Sequence, residues 1–142
     1  MRQILLLVVL LISFCDVSRA DVFKSEEQLQ SFAEAAMAKV GKGDFDGAFG
    51  SMKPFMVLPQ AELDSLVVNT RVQRGMVGAR FGKVVGYECL GAKKVGQSLI
   101  KVTCIEKTEN HALPWLFYFY KAPRGWVLNS FTWNDNLPSL FN

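Results

Sequence analysis

The side chains with chemistry to offer are few and scattered. One histidine, His111, and three cysteines, Cys15, Cys89 and Cys104, are the only imidazole and thiol groups in 142 residues. A closed zinc site takes four ligands, and the spaced Cys/His clusters that supply them are missing. So are an HExxH pair and a GxSxG nucleophile elbow. The reading is therefore no metal, no cofactor and no assigned catalytic residue. His111 ends the polar run Glu109-Asn110-His111 between two strand-like segments, where an imidazole serves better as an exposed turn residue than as a general base. Arg71, Arg74 and Arg80 gather toward the end of a helical segment. Cations there suit the negative pole of the helix, and an anion site is the sharper alternative.

Something must position these groups, and the first twenty residues take no part in it. Met1 to Ala20 carries one early charge at Arg2 and then the apolar run ILLLVVLLISF. That is the pattern of a signal peptide: the run is far shorter than the roughly twenty residues of a spanning helix, and Ser18 and Ala20 are small residues at a cleavage site. Cleavage is expected after Ala20, leaving residues 21–142 as one domain and placing the protein outside the cytoplasm, secreted or periplasmic. No membrane association is expected after cleavage. The whole chain has a formal charge of +3. Losing Arg2, Arg19 and Asp16 reduces it by one, too weak a balance for nucleic acid.

Three helices are predicted next. Ser25-Glu26-Glu27-Gln28 has the form of a capping box, and Leu29, Phe32, Ala33, Ala36, Met37 and Val40 recur behind it at spacings of three and four. Gly41-Lys42-Gly43 ends this helix. Asp44 caps a second, short one with Phe45, Ala48, Phe49 and Met52 on one face, bounded by Pro54. GKGDFDGAFG is helix punctuation and not a phosphate loop, since no strand leads into it and no Lys-Ser/Thr pair follows. Pro59 starts a third helix that turns Leu63, Leu66 and Val67 inward and is expected to fade near Gly75 or Gly78.

From Lys83 the period changes to two. Val85, Tyr87 and Cys89 alternate with Val84, Gly86 and Glu88, and Ile100, Val102 and Cys104 with Lys101 and Thr103. A second pair, roughly Pro114 to Lys121 and Trp126 to Trp133, turns at Pro123-Arg124-Gly125. The order implies an α+β fold: three N-terminal helices packed on a curved, antiparallel four-stranded meander. If the first hairpin centres between Gly96 and Gln97, Cys89 and Cys104 sit opposite each other, as a cross-strand disulfide or as two packed thiols.

Residues His111 to Trp133 hold eight of the seventeen aromatics. In WLFYFY one strand face presents Trp115, Phe117 and Phe119 and the other Leu116, Tyr118 and Tyr120, so both faces need cover. The helices followed by a meander, closing with FYFYKAPRGWVLNSFTWND and a terminal LF, resemble small exported bacterial proteins of the nuclear-transport-factor-2-like, or cystatin-like α+β, superfamily. The resemblance covers most of residues 24–142. It implies a cone in which a curved sheet encloses a pocket against the helices, used for isomerase or dehydratase chemistry in some members and for binding or assembly in many. The ketosteroid-isomerase-like enzymes set a carboxylate base among hydrogen-bond donors in an apolar pocket. Glu88, Asp135, Tyr87 and Tyr118 are the available players, and none matches a family motif.

The expected function is thus a non-enzymatic, exported binding domain for an apolar small molecule or a partner protein, with Tyr87, Tyr118, Tyr120 and Trp133 as its ligand-binding residues. Two alternatives stand beside it: a pocket enzyme of the isomerase or dehydratase kind, and a homodimer whose aromatic sheet face is a subunit contact.

Overall fold

Helix α1 (Glu26–Val40) buries Leu29, Ala33, Ala36, Met37 and Val40, the apolar stripe its spacing foretells. This computed structural model describes residues 19–142, so the predicted signal segment lies outside the described residues except for its last two. The entry to α1 differs from a capping box by one residue. Ser25 makes no side-chain cap, and Gln28 Oε1 instead accepts from the backbone N–H of Lys24 at 2.7 Å. Helix α2 (Phe45–Met52) is capped as expected, Asp44 Oδ1 accepting from the N–H of Gly47 at 2.9 Å. A 3₁₀ turn (Lys53–Phe55) leads toward α3 (Gln60–Phe81).

Helix α3 passes through Gly75 and Gly78 and ends only at Gly82, where φ is +86°. The expected fade is corrected by what holds the last turn. Asn110 donates both its backbone N–H (3.1 Å) and its side-chain amide (3.3 Å) to the carbonyl of Phe81. Each glycine lowers helix propensity by only about 1 kcal/mol, which such tertiary ties override.

Four antiparallel strands follow in simple meander order: β1 (Val84–Val95), β2 (Leu99–Thr108), β3 (Ala112–Ala122) and β4 (Gly125–Trp133). On β2 every second residue is buried, from Ile100 through Thr108, and the inward row continues as Leu113, Trp115, Phe117 and Phe119 on β3. These side chains pack against Leu29, Met37, Phe49, Met52 and Leu63 of the helices, with Trp115 and Phe131 stacked at 6.2 Å. The backbone of Phe23 pairs with that of Trp126 (2.8 and 3.0 Å) beside β4, and its ring stacks on Phe55 at 4.2 Å.

Two register shifts interrupt β1, one between Val84 and Gly86 and one between Cys89 and Gly91. The first takes Val85 out of the face that alternation gives it with Tyr87 and Cys89: as the residue bulged out of the ladder it is 63% exposed, and Val84 pairs with inward Thr108. The second decides the cysteines. Val95 faces Leu99, so the hairpin centres on Gln97 and an unbroken ladder would set Leu90 against Cys104. The bulge at Leu90 slips the register by one, and Cys89 meets Cys104 in a disulfide with a Cα–Cα distance of 3.9 Å.

Candidate functional site

The inward row of β2 ends in a carboxylate. Glu106 follows Val102 and Cys104 at the spacing of alternate strand residues and is fully buried. Its partner comes from α3, where Arg74 occupies the inward face along with Leu63 and Thr70. The guanidinium reaches both carboxylate oxygens, through Nη2 to Oε1 and through Nη1 to Oε2 at 2.9 Å. The indole N–H of Trp115 donates to Oε2 at 3.0 Å. Arg74 also lies 4.2 Å from the ring centre of Phe45 and 5.0 Å from that of Trp133. Its Nε is buried with no acceptor among the described residues. The carboxylate is engaged by three donors and its charge is matched within the domain, the arrangement of a structural ion pair. The cluster joins helix to sheet.

The other arginines are also engaged. Arg71 bonds Asp46 at 2.8 Å and Arg80 bonds Asp135 at 3.1 Å, both on the surface. Arg74 borders a cleft of about 410 Å³ with Lys42 and Lys83 at its rim, but its charge is already balanced by Glu106. Glu88 pairs with Lys107 at 2.9 Å. His111 is half-buried and not a free turn residue: its ring stacks on Phe81 at 4.3 Å and Nε2 lies 3.0 Å from the carbonyl oxygen of Asp135. Among the described residues no three His, Cys, Asp or Glu side chains gather as a metal site, and no helix is long and apolar enough to cross a membrane.

The four residues expected to bind a ligand separate onto two faces. Tyr87, opposite Glu106 on β1, lies so close to the loop after α1 that a Cβ on Gly41 would fall 2.9 Å from its ring. Trp133 stacks on Trp115 at 6.1 Å at the far edge of the sheet. Both belong to the helix-covered side. Tyr118 and Tyr120 point away from it, alternating with buried Phe117 and Phe119.

On that outer face the ladder builds two rows across the strands. Lys93 faces Lys101, which faces Tyr118, which faces Ser130. One step along, Val95 faces Leu99, then Tyr120, then Val127. Val95, Leu99 and Tyr120 are 54%, 49% and 42% exposed. The C-terminal 3₁₀ segment (Leu137–Phe141) lies against β3 and covers part of the face. Between it and the strands runs a cleft of about 390 Å³, bordered by Lys93, Lys101, Thr103, Leu90, Leu116 and Leu140. Lys93 and Lys101 are directly opposed, and neither has a carboxylate within ion-pair distance among the described residues. Like charges in that position repel, and an anion in the cleft would relieve the pair.

The sequence reading missed Glu106 and the two lysines. Parity was the available signal, since the Ile100, Val102, Cys104 alternation extended by one step puts Glu106 inside. Compared with protein-family models, curated proteins and solved structures, the chain matches none.

Proposed function

We propose that this is an exported, non-enzymatic binding domain of the nuclear-transport-factor-2-like architecture, its helices and sheet forming the cone of that fold. Its working surface is the outer face of the sheet, and its ligand is an apolar small molecule that carries an acidic group. The observation that carries the reading is the opposed pair Lys93 and Lys101 beside Tyr118, in a cleft walled by Leu90, Leu116 and Leu140. Two uncompensated ammonium groups attract an anion, and the leucines and tyrosine ring accept its apolar body. The helix-covered side supports this less well, because fully buried Trp115 and Phe117, Phe119 beside them and the paired Glu106 fill the space there. Export is supported by the Cys89–Cys104 disulfide, a bond that persists in oxidising compartments.

The test is titration of residues 21–142 with dodecanoate by calorimetry and with an anilinonaphthalene sulfonate by fluorescence. Both should bind. Lys93→Glu with Lys101→Glu should weaken them about tenfold or more, equivalent to ~1.4 kcal/mol, while leaving the unfolding midpoint nearly unchanged. Absence of binding to the unaltered domain, or equal affinity in the double variant, rejects the site.

A further inference from the structure

Helix α3 has a second face that nothing among the described residues covers. Of its 22 residues only Leu63 and Thr70 are buried, on the side that also carries Arg74. On the opposite side Val68, Val72 and Met76 follow one another at the four-residue spacing of a helical ridge and are 56%, 67% and 64% exposed. Ala61 and Ser65 extend the line toward one end, Gly75 and Ala79 toward the other. The steps through Ala61, Ser65, Val68, Val72, Gly75 and Ala79 alternate between four and three, the spacing of a seam between two helices.

We propose that this face is a homodimer interface in which α3 packs antiparallel against α3 of a second copy. The seam is nearly the same read from either end: small, small, valine, valine, small, small. A twofold axis crossing the exposed face at the level of residue 70 therefore sets Val68 against the partner's Val72 and Ala61 against the partner's Ala79. The small residues at both ends let the backbones approach to about 8 Å at a shallow crossing angle of about 20°. Charge selects the same pairing. Glu62 and Arg80 flank the seam on one side at opposite ends of the helix, so the axis brings Glu62 of each chain near the partner's Arg80, twice. Glu62 has no ion partner among the described residues. Arg80 is free to change partners, because its bond to Asp135 joins side chains 70% and 53% exposed, a pairing of small worth. A lipid surface fits less well: helices that lie on membranes flank the apolar face with many lysines and arginines and carry large apolar groups, whereas here Glu62, Asn69 and Gln73 share the flank with Arg80 and the seam itself is mostly small residues. The surface is distinct from the ligand cleft, so the two proposals stand or fall separately.

Sedimentation velocity on residues 21–142 tests it. The expected result is a concentration-dependent dimer that Val72→Glu converts to monomer, with near-ultraviolet dichroism unchanged because Val72 is mostly exposed. Glu62→Arg and Arg80→Glu should each weaken the dimer about tenfold, and an equimolar mixture of the two variants should restore part of the association as heterodimer. A domain that stays monomeric at several hundred micromolar overturns the proposal. So does a dimer that persists in Val72→Glu, which would place the contact elsewhere, and so does a monomer that binds phosphatidylglycerol vesicles through the same valines.

Discussion

Arg74 on α3 and Glu106 on β2 meet inside the domain, guanidinium to carboxylate, with Glu106 completely shielded and Arg74 only 9% exposed. Two charges out of water are tolerated because each has contacts beyond its partner: the carboxylate accepts from the Trp115 indole, and the guanidinium lies against the faces of Phe45 and Trp133, with only its Nε lacking an acceptor among the described residues. Those contacts tie the long third helix to the second and third strands, and they occupy the inner end of the space in which the superfamily resemblance implies a pocket.

Removing one partner should be worse than removing both. Arg74→Met leaves the Glu106 charge buried with only an indole donor and should destabilise the domain by about 3–5 kcal/mol. Adding Glu106→Leu to that variant removes the stranded charge and should recover much of the loss. Urea midpoints for the single and double variants decide the matter. If the double variant is no more stable than Arg74→Met, the pair is not a buried charge pair in solution.

The disulfide gives a second check on β1. Protein recovered from an oxidising host should show no free thiol on alkylation under denaturing, non-reducing conditions, once residues 1–20 with Cys15 are removed. The bond closes a loop with a sequence separation of 15, so the Cys89→Ala, Cys104→Ala pair should lose roughly 3 kcal/mol on the chain-entropy model. Deleting Leu90 tests the bulge itself. Without the extra residue the ladder runs unbroken and Cys89 falls directly opposite Cys104, so the disulfide should still form; a variant left with two free thiols would show that the bulge itself is needed to bring the pair together.

How much of this was legible follows from how local each signal is. The stripes of α1 and α2, the Asp44 cap and the Pro123-Arg124 turn are written in neighbouring residues, and the structure places them as the sequence implies. The two bulges are not, because one extra residue in a ladder is defined only against the partner strand. The length of α3 was hidden for a similar reason: Gly75 and Gly78 signal an end locally, while Arg74, Phe81 and Asn110 hold the helix together from a distance. The outward rows came closest to being read. Alternation alone separates Tyr118 and Tyr120 from Trp115, Phe117 and Phe119, but Lys93 and Lys101 become neighbours only through the hairpin register.

Acid should act on the start of α3. The Lys53 ammonium, 2.9 Å away, and then the Gln60 amide hold the Asp64 carboxyl below the usual aspartate range. A carboxyl lowered on folding contributes stability that is complete above its unfolded pKa of about 3.9 and disappears as pH falls through the lower folded value. Carbon-13 titration of Asp64 should therefore show a midpoint below that of an aspartate in an unfolded peptide, and Lys53→Met should move it upward. A midpoint unmoved by the substitution would mean that the pair does not form in solution.

The division of labour within WLFYFY gives the sharpest comparison, because Phe117 and Tyr118 are adjacent and face opposite ways. Phe117 is fully buried between Val102 and Phe131 of the flanking strands, beneath the helices. Its replacement by alanine removes burial and leaves a cavity, a loss of about 3–5 kcal/mol. Tyr118 is half-buried on the outer face between Lys101 and Ser130. Tyr118→Ala should cost clearly less, since solvent already reaches part of the ring and can fill what is left. It should also weaken binding of the anionic probe, since the ring borders the lysine pair. Tyr118→Phe separates the two parts of that effect: it keeps the ring and should retain most of the affinity if apolar contact dominates, or lose it if the hydroxyl meets the acidic group. Denaturation and probe titration on the same three variants provide both readouts. Should Tyr118→Ala unfold the domain as readily as Phe117→Ala while leaving probe affinity untouched, Tyr118 is packing and the outer face is not the working surface.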